Sequence, residues 1–333
     1  MQLGFAMGYA PPGTNPLDLI ALAQEAERLG YGSAWTAEAW GSDAVTVLSW
    51  LAATTTSIEL GTAIMQIPAR TPANTAMTAA TLDLMSGGRF LLGLGTSGPQ
   101  VVEGWHGQAW GKPLTRTREY VEIVRRTLRR EALEFDGDQY QVPHSGEGAT
   151  GLGRPLKLMM RPLRSDVPIY LAALSPRNVR LAFEIADGWL PVFFSPERAR
   201  AAFEYEPREG FEIAPTAHTI VTDDPESARD FVRPIVALYV GGMGSREANF
   251  YNRLVRRYGY EAEAERIQRL YLEGKQLEAI AAVPDALIDE VALIGPPAWI
   301  RERLDALGES GVTRLLVATH DIGTLRALAE IAA

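Results

Sequence analysis

An α/β fold, a (β/α)8 barrel of the TIM type carrying insertions, is the class the sequence predicts. Eight short β-rich runs recur along the 333 residues, nearly all followed by a helical pattern. Connections in the first hundred residues are short, which implies a parallel sheet covered on both faces. The length suits one barrel with additions. Read as a single domain over 1–333, the chain carries its insertions near 99–166 and 225–280.

The elements follow in order. QLGFAMG (2–8) is an apolar strand running into a Pro-Pro-Gly loop. Asn15-Pro16 supplies an N-cap and a proline at the first helical position. Leu19, Leu22, Ala23, Ala26 and Leu29 then mark one apolar helical face, with Gln24, Glu25 and Arg28 turned away, and Gly30 ends the helix. SAWTAE (33–38) is the second strand, followed by a helix over about 43–55. IELGTAIM (58–65) is a continuous β-rich run, and a helix near 73–85 ends at Ser86-Gly87-Gly88. FLLGLG (90–95) is the fourth strand. The alternation then breaks for a basic amphipathic helix (about 114–130) and EFDGDQYQV, whose Asp-Gly suggests a hairpin. It resumes with VPIYLAA (167–173), a helix over 176–186, DGWLPVF (187–193) and a strand at 213–221. Residues 225–280 read as a helical, charged insertion. VTRLLVAT (312–319) and a helix from about Gly323 close the chain.

Composition excludes several chemistries. Apolar residues make up 47% of the chain, yet none gather into a tract of the ~18 needed to span a membrane. MQLGFAMGYAPPG has neither the basic stretch nor the cleavage site of a signal peptide, so a cytoplasmic protein is expected. With no cysteine, disulfides, thiolate metal sites and a cysteine nucleophile are out. A formal charge of −9 argues against a nucleic-acid or anionic-membrane partner. A small-molecule substrate and a homodimer are the expected partners. The four histidines (His106, His144, His218, His320) show no metal-ligand spacing, so no metal is expected. No Gly-x-Ser-x-Gly elbow is present.

Gly93-x-Gly95-x-x-Gly98 has the spacing of a dinucleotide-binding fingerprint, but 31 glycines produce such matches by chance. That fingerprint needs a helix opening on the glycines and an acidic residue about 20 positions on at a strand end. Pro99 follows the third glycine, and Glu119 lies inside a helical stretch, so the Rossmann reading fails while a phosphate-cradling turn survives. In a barrel, function gathers at the C-terminal strand ends. These are Ala6–Gly8, Glu38-Ala39-Trp40, Ala63–Gln66, Gly95-Thr96-Ser97-Gly98, Ala172–Ser175 and Thr319-His320-Asp321. Their small residues favour a large flat ligand approached by backbone, beside the plainer reading that each permits a tight loop. Glu38 is a candidate acid–base or a cap of the next helix. Trp40 is a pocket wall or core. His106 is a proton donor or a surface residue.

ALAQEAERLGYGSAWTAEAWGSDAV, LGTAIMQIPARTPANTAMTAATLDLMSGGRFLLGLGTSGPQVVEGWHG and PIYLAALSPRNVRLAFEIADGWLP together resemble the luciferase-like monooxygenase superfamily, closest to its coenzyme F420-dependent branch. The resemblance is close over about 1–195 and loose over the last 40 residues. It implies a bacterial luciferase-like barrel holding F420, with FMN as the alternative cofactor. Thr96, Ser97 and Gly98, after Gly95, would then face the cofactor's phosphate. Ala173, Leu174, Ser175 and Arg177 belong to a second phosphate-facing segment. Ala63-Ile64 aligns with a backbone bulge behind the deazaflavin, where a non-proline cis peptide is usual. The sugar-phosphate dehydrogenase members carry a histidine where this chain has Ala39 and a glutamate where it has Gly98, although Trp40 is retained. The implied activity is therefore a reductase or dehydrogenase on an unsaturated or carbonyl substrate, with Glu38 or His106 as proton relay. An FMN-dependent, oxygen-using monooxygenase and a non-catalytic flavin-binding protein are the alternatives.

Overall fold

The computed structural model describes residues 1–8 and 15–333; the Pro11-Pro12-Gly13 loop lies outside them. Eight parallel strands make the barrel: β1 (Gln2–Gly8), β2 (Ser33–Thr36), β3 (Glu59–Thr62), β4 (Phe90–Gly95), β5 (Ile169–Leu171), β6 (Gly188–Trp189), β7 (Thr216–Val221) and β8 (Arg314–Ala318). Each pairs with the next from β1 to β6, β7 pairs with β8, and β8 pairs with β1. The ring closes between β6 and β7 through Glu212–Ile213, which pairs with Gly188 and Trp189, and through a bridge from Val192 to Thr216.

Three strand expectations are corrected. Residues 58–65 do not form one strand: the chain leaves the sheet after Thr62 and rejoins it at Met65–Gln66, opposite Leu94 and Gly95 of β4. Residues 213–221 are interrupted before Thr216, where Pro215 has no N–H to give the ladder. A further strand, Leu293–Gly295, pairs with Thr219–Val221. Three apolar residues between two helices carry no period by which sequence would reveal them.

The helix starts are as their sequences dictate. Asn15, Thr71 and Ser175 each cap a helix with a side-chain oxygen, and a proline follows each as first helical residue. Gly87, at φ 71°, ends helix Pro72–Ser86 in the left-handed conformation. The basic helix is Pro113–Leu128, and within it Glu119 accepts the N–H groups of Asp138, Gln139 and Tyr140, the turn of the hairpin Phe135–Asp136 with Gln141–Val142. No helix among the described residues is long and apolar enough to cross a membrane.

Glu27 shows how helices and strands are tied. Its Oε1 accepts the N–H groups of Thr56, Ser57 and Ile58 at 2.8, 2.6 and 3.0 Å. Burial works to raise its pKa, but these donors prevail and hold it at about 2. Glu27→Ala is expected to cost about 1 kcal/mol in urea unfolding, because charge-assisted hydrogen bonds are lost while the N–H groups of the exposed Thr56 and Ser57 can turn to water. Because the folded pKa lies below the ~4.3 of a free glutamate, the contribution is complete above that value and fades as pH falls toward 2. The gap between wild type and variant should narrow over that range; a gap independent of pH would contradict the assignment.

Two apolar layers form the core. One lies between strands and helices. The other fills the barrel lumen with Trp35, Leu91, Tyr170, Leu190, Ala214 and Leu316, Trp35 meeting Tyr170 edge-on at 5.3 Å. Beneath it, Arg314 reaches Glu59 at 2.7 Å and Glu212 at 2.9 Å. The lower lumen is thus filled, so a ligand entering the barrel would do so from the C-terminal ends of the strands.

Candidate active site at the barrel mouth

The glycine-rich turn at the end of β4 divides its labour by residue. Gly93 lies against β3, where Thr62 Oγ1 donates to its carbonyl at 2.8 Å and accepts its N–H at 2.9 Å. Gly95 lies under Ile64, whose Cδ1 would stand 2.9 Å from any Cβ placed there. Ser97 has φ 59°, a left-handed conformation that a non-glycine residue holds only where its surroundings over-determine it. Gly98 caps the short helix Pro99–Gly104, and a Cβ there would meet nothing but the flexible end of Gln100. The Gln100 amide lies 3.0 Å from the N–H groups of Gly244 and Ser245, and with its oxygen turned toward them it accepts both, against the second insertion.

The Ala63–Ile64 peptide is cis, as expected. It bulges between β3 and Met65: Ala63 N–H donates to Thr36 at 2.7 Å, and Ile64 carbonyl accepts from Glu38 N–H at 3.3 Å. Ala63 and Ile64 pack against the lumen cluster with Ala172 and Ala318. At the end of β5, Ala172 N–H donates to Leu94, Ala173 carbonyl accepts Trp189 Nε1 at 2.9 Å, and Leu174 carbonyl accepts the Arg257 guanidinium. Ser175 caps helix Pro176–Ile185 through Asn178 N–H, and Arg177 is exposed on its first turn. Between the two turns is a small crevice with room for about one water, about 10 Å³, whose walls include Ile67, Gly95, Thr96, Ala172 and Asn178, with Thr117 and Leu181 from the helices outside the strands. The structure therefore brings Ala63, Ile64, Gly95, Thr96 and the 173–175 turn into one region, with Ser97 and Gly98 at its rim.

Glu38 and His106 meet through Gln66. Both carboxylate oxygens of Glu38 are occupied: Arg70 reaches them at 2.5 and 3.0 Å, Gln66 N–H donates at 2.9 Å, and Ala44 N–H, at the start of helix Ala44–Thr54, at 3.4 Å. Arg70 also binds Asp43. Glu38 thus caps the following helix and holds the rim together. Gln66 donates its amide to Ala39 carbonyl at 2.6 Å, so its oxygen accepts from His106 Nε2 at 3.1 Å and fixes the proton on that nitrogen. Trp40 is 51% exposed and Trp105 64%, two indoles standing in solvent.

Four residues to which the sequence reading gave no role belong to this region. Gln66 and Arg70 join the rim, and no spacing announced them. Arg257 reaches the Ala173–Ser175 turn from helix Phe250–Arg257; among the described residues it has no carboxylate partner, and burial pulls its pKa down. His218, on β7, is in register with Ala318 and shares its lumen-facing side. The second insertion roofs the mouth: Tyr258 OH donates to Phe193 carbonyl at 2.8 Å, Phe193 packs edge-on against Tyr239 and Tyr251, and Trp110 stacks on Phe250.

The family model of the luciferase-like monooxygenases matches residues 3–314. A protein of Mycobacterium tuberculosis classed as a coenzyme F420-dependent oxidoreductase is 44% identical, the match covering 99% of each chain. The 5,10-methylenetetrahydromethanopterin reductase of Archaeoglobus fulgidus is 29% identical over 94% of this chain and 92% of its own. Among solved structures, the coenzyme F420-dependent tetrahydromethanopterin reductase of Methanopyrus kandleri superimposes with a TM-score of 0.80 at 22% identity, covering 99% of this chain and 97% of the other.

Proposed function

The chain belongs to the luciferase-like monooxygenase family, and from that premise we propose that it is an oxidoreductase that binds coenzyme F420 and passes hydride between C5 of the deazaflavin and a small organic substrate. The observation that carries this reading is the small-residue face of the β4 and β5 turns. Gly95, Thr96 and Ala172 leave backbone and small side chains along it, a surface that a flat ring can approach. The fit is selective. A side chain at Gly95 would strike Ile64, whereas one at Gly98 would meet only the end of the Gln100 side chain. Thr96, Ser97 and Gly98 would offer hydroxyl and N–H donors to the phosphate, and Ser175 and Arg177 would face it from the second turn. The 44% identity to the mycobacterial protein over the whole chain supports the choice of cofactor.

When bound, F420 supplies the carbon that takes or gives hydride. The chain's own residues do the rest. The rim network of Glu38, Arg70, Gln66 and His106 holds the β2 and β3 loops in one geometry, and the second insertion covers the mouth against water.

Equilibrium titration of the apo-protein with F420 and with FMN tests the reading. F420 is expected to bind more tightly; tighter FMN binding, with oxygen consumed on reduction, would favour the monooxygenase instead. Gly98→Val should weaken F420 by at least tenfold, a loss of only ~1.4 kcal/mol, while melting close to wild type. Unchanged affinity in that variant would make the turn merely structural.

A further inference from the structure

One imidazole stands inside the barrel, away from the rim network. Strand TAHTIV alternates: Ala217 joins the layer between strands and helices, while Thr216 pairs with Leu316 of the lumen cluster. His218 therefore faces inward two residues above Thr216, in register with Ala318, which is itself in register with Ala6 of β1. Ala6, Ala318, Ala63 and Ala172 are its peers on the layer above the filled lumen. All are small, and His218 is half-buried among them. No hydrogen bond from a described residue holds either ring nitrogen. Burial, with His320 beyond the end of β8 adding to it, pushes the imidazole down to about 4, so it is neutral near pH 7. Glu38, by contrast, has both oxygens occupied, and His106 is tied to Gln66.

We propose that His218 is the proton-exchanging catalytic residue of this oxidoreductase, facing the oxygen of an uncharged carbinol or carbonyl substrate at the lumen floor. The inference rests on the F420 reading above and adds to it the substrate's functional group and the partner of its proton. In oxidation, the carbinol C–H bond breaks and its electron pair leaves as hydride to the deazaflavin C5. The O–H bond breaks with its proton passing to a ring nitrogen of His218, and the C=O bond forms. Reduction runs the same exchange backwards. Neutral near pH 7, the imidazole has a lone pair free for the leaving proton; its low pKa makes it a weak base that passes the proton on rather than keeping it. The alanines around it suit a small, uncharged group, since a charged one would lie on an apolar floor without a counter-ion.

The test uses the whole chain, its histidines labelled with ¹³C, saturated with F420, and 2-propanol and cyclohexanone as probes. The His218 signal is identified by its loss in His218→Gln. It should titrate well below the ordinary histidine range and move when either probe is added. His218→Ala and His218→Gln should fold, bind F420 within about twofold of wild type, and transfer hydride at least a hundredfold more slowly. Added imidazole should restore part of the rate to His218→Ala alone, an effect that a packing role would not give. Hydride transfer at the wild-type rate in either variant overturns the proposal, as does a His218 signal indifferent to both probes. Wild type that binds F420 but turns over neither probe nor a wider panel of ketones overturns the assignment of substrate group and residue while sparing the cofactor. Wild type that fails to bind F420 overturns both.

Discussion

Gly93→Ala is expected to abolish the folded barrel. A Cβ at this position would stand 1.8 Å from the carbonyl oxygen of Thr62 and 2.9 Å from Leu190. The first neighbour is backbone, held in the middle of the sheet, and has no rotamer to escape into. Relief requires β3 and β4 to part by more than 1 Å, which breaks the exchange between Thr62 Oγ1 and the Gly93 backbone. Overpacking by one group usually costs ~1–3 kcal/mol when side chains can adjust. Here they cannot, so the cost should exceed that range and consume much of the ~5–15 kcal/mol that holds a typical domain. Soluble yield and far-ultraviolet circular dichroism read the outcome, with Gly98→Val as the folded control from the same turn. An alanine variant melting within a few degrees of wild type would refute the close approach of the two strands.

The second large effect is expected at Arg164. Its guanidinium grips Asp83 through Nε at 3.0 Å and Nη2 at 2.5 Å, and Nη2 also donates to Phe90 carbonyl at 2.6 Å. The Asp83 side chain is fully buried while Arg164 is 33% exposed, so the arginine is the lid over an otherwise sealed carboxylate. Arg164→Ala strands that charge and should cost about 3–5 kcal/mol in urea unfolding, whereas replacing both partners by apolar residues of similar volume should recover most of the loss. A cost below about 1 kcal/mol would mean that Asp83 finds another partner on losing Arg164. The contact also pins the end of the first insertion to helix Pro72–Ser86 and to the base of β4.

The sequence is most legible where a local rule decides the structure. Asn15-Pro16, Thr71-Pro72 and Ser175-Pro176 each announce a helix start, because cap and proline act within one turn of chain. The break in 58–65 was less legible. A run of β-formers has the same period whether or not one peptide steps out of line, and only the resemblance pointed at Ala63-Ile64. The dinucleotide spacing of the glycine turn misleads for a related reason. Gly93 is glycine to let β3 approach, whereas a Cβ at Gly98 would meet only the end of Gln100, so one pattern covers two different situations. The rim shows the opposite limit. Glu38 was legible as a polar residue at a strand end and His106 as one in the loop after the glycine-rich turn. That they share Gln66 and that Arg70 occupies the carboxylate depend on loops folding together across 27 to 40 residues. His218 needed the register of β7 against β8, since the alternation in TAHTIV separates two faces without saying which looks inward.

The placing of Leu293–Gly295 has a consequence for ancestry. The chain departs from β7 at Val221 and returns on a strand hydrogen-bonded to that same β7, a lateral step of about 4.8 Å. Everything between residues 222 and 292 is therefore an excursion that starts and finishes on adjoining strands. Doubling such an excursion adds only ~0.6 kcal/mol of closure entropy. A lineage can lengthen, trim or exchange this cassette while inheriting the barrel beneath it unchanged. This covering segment can then diversify at its own pace, and a grafted cassette from a relative needs to match only two neighbouring anchor points.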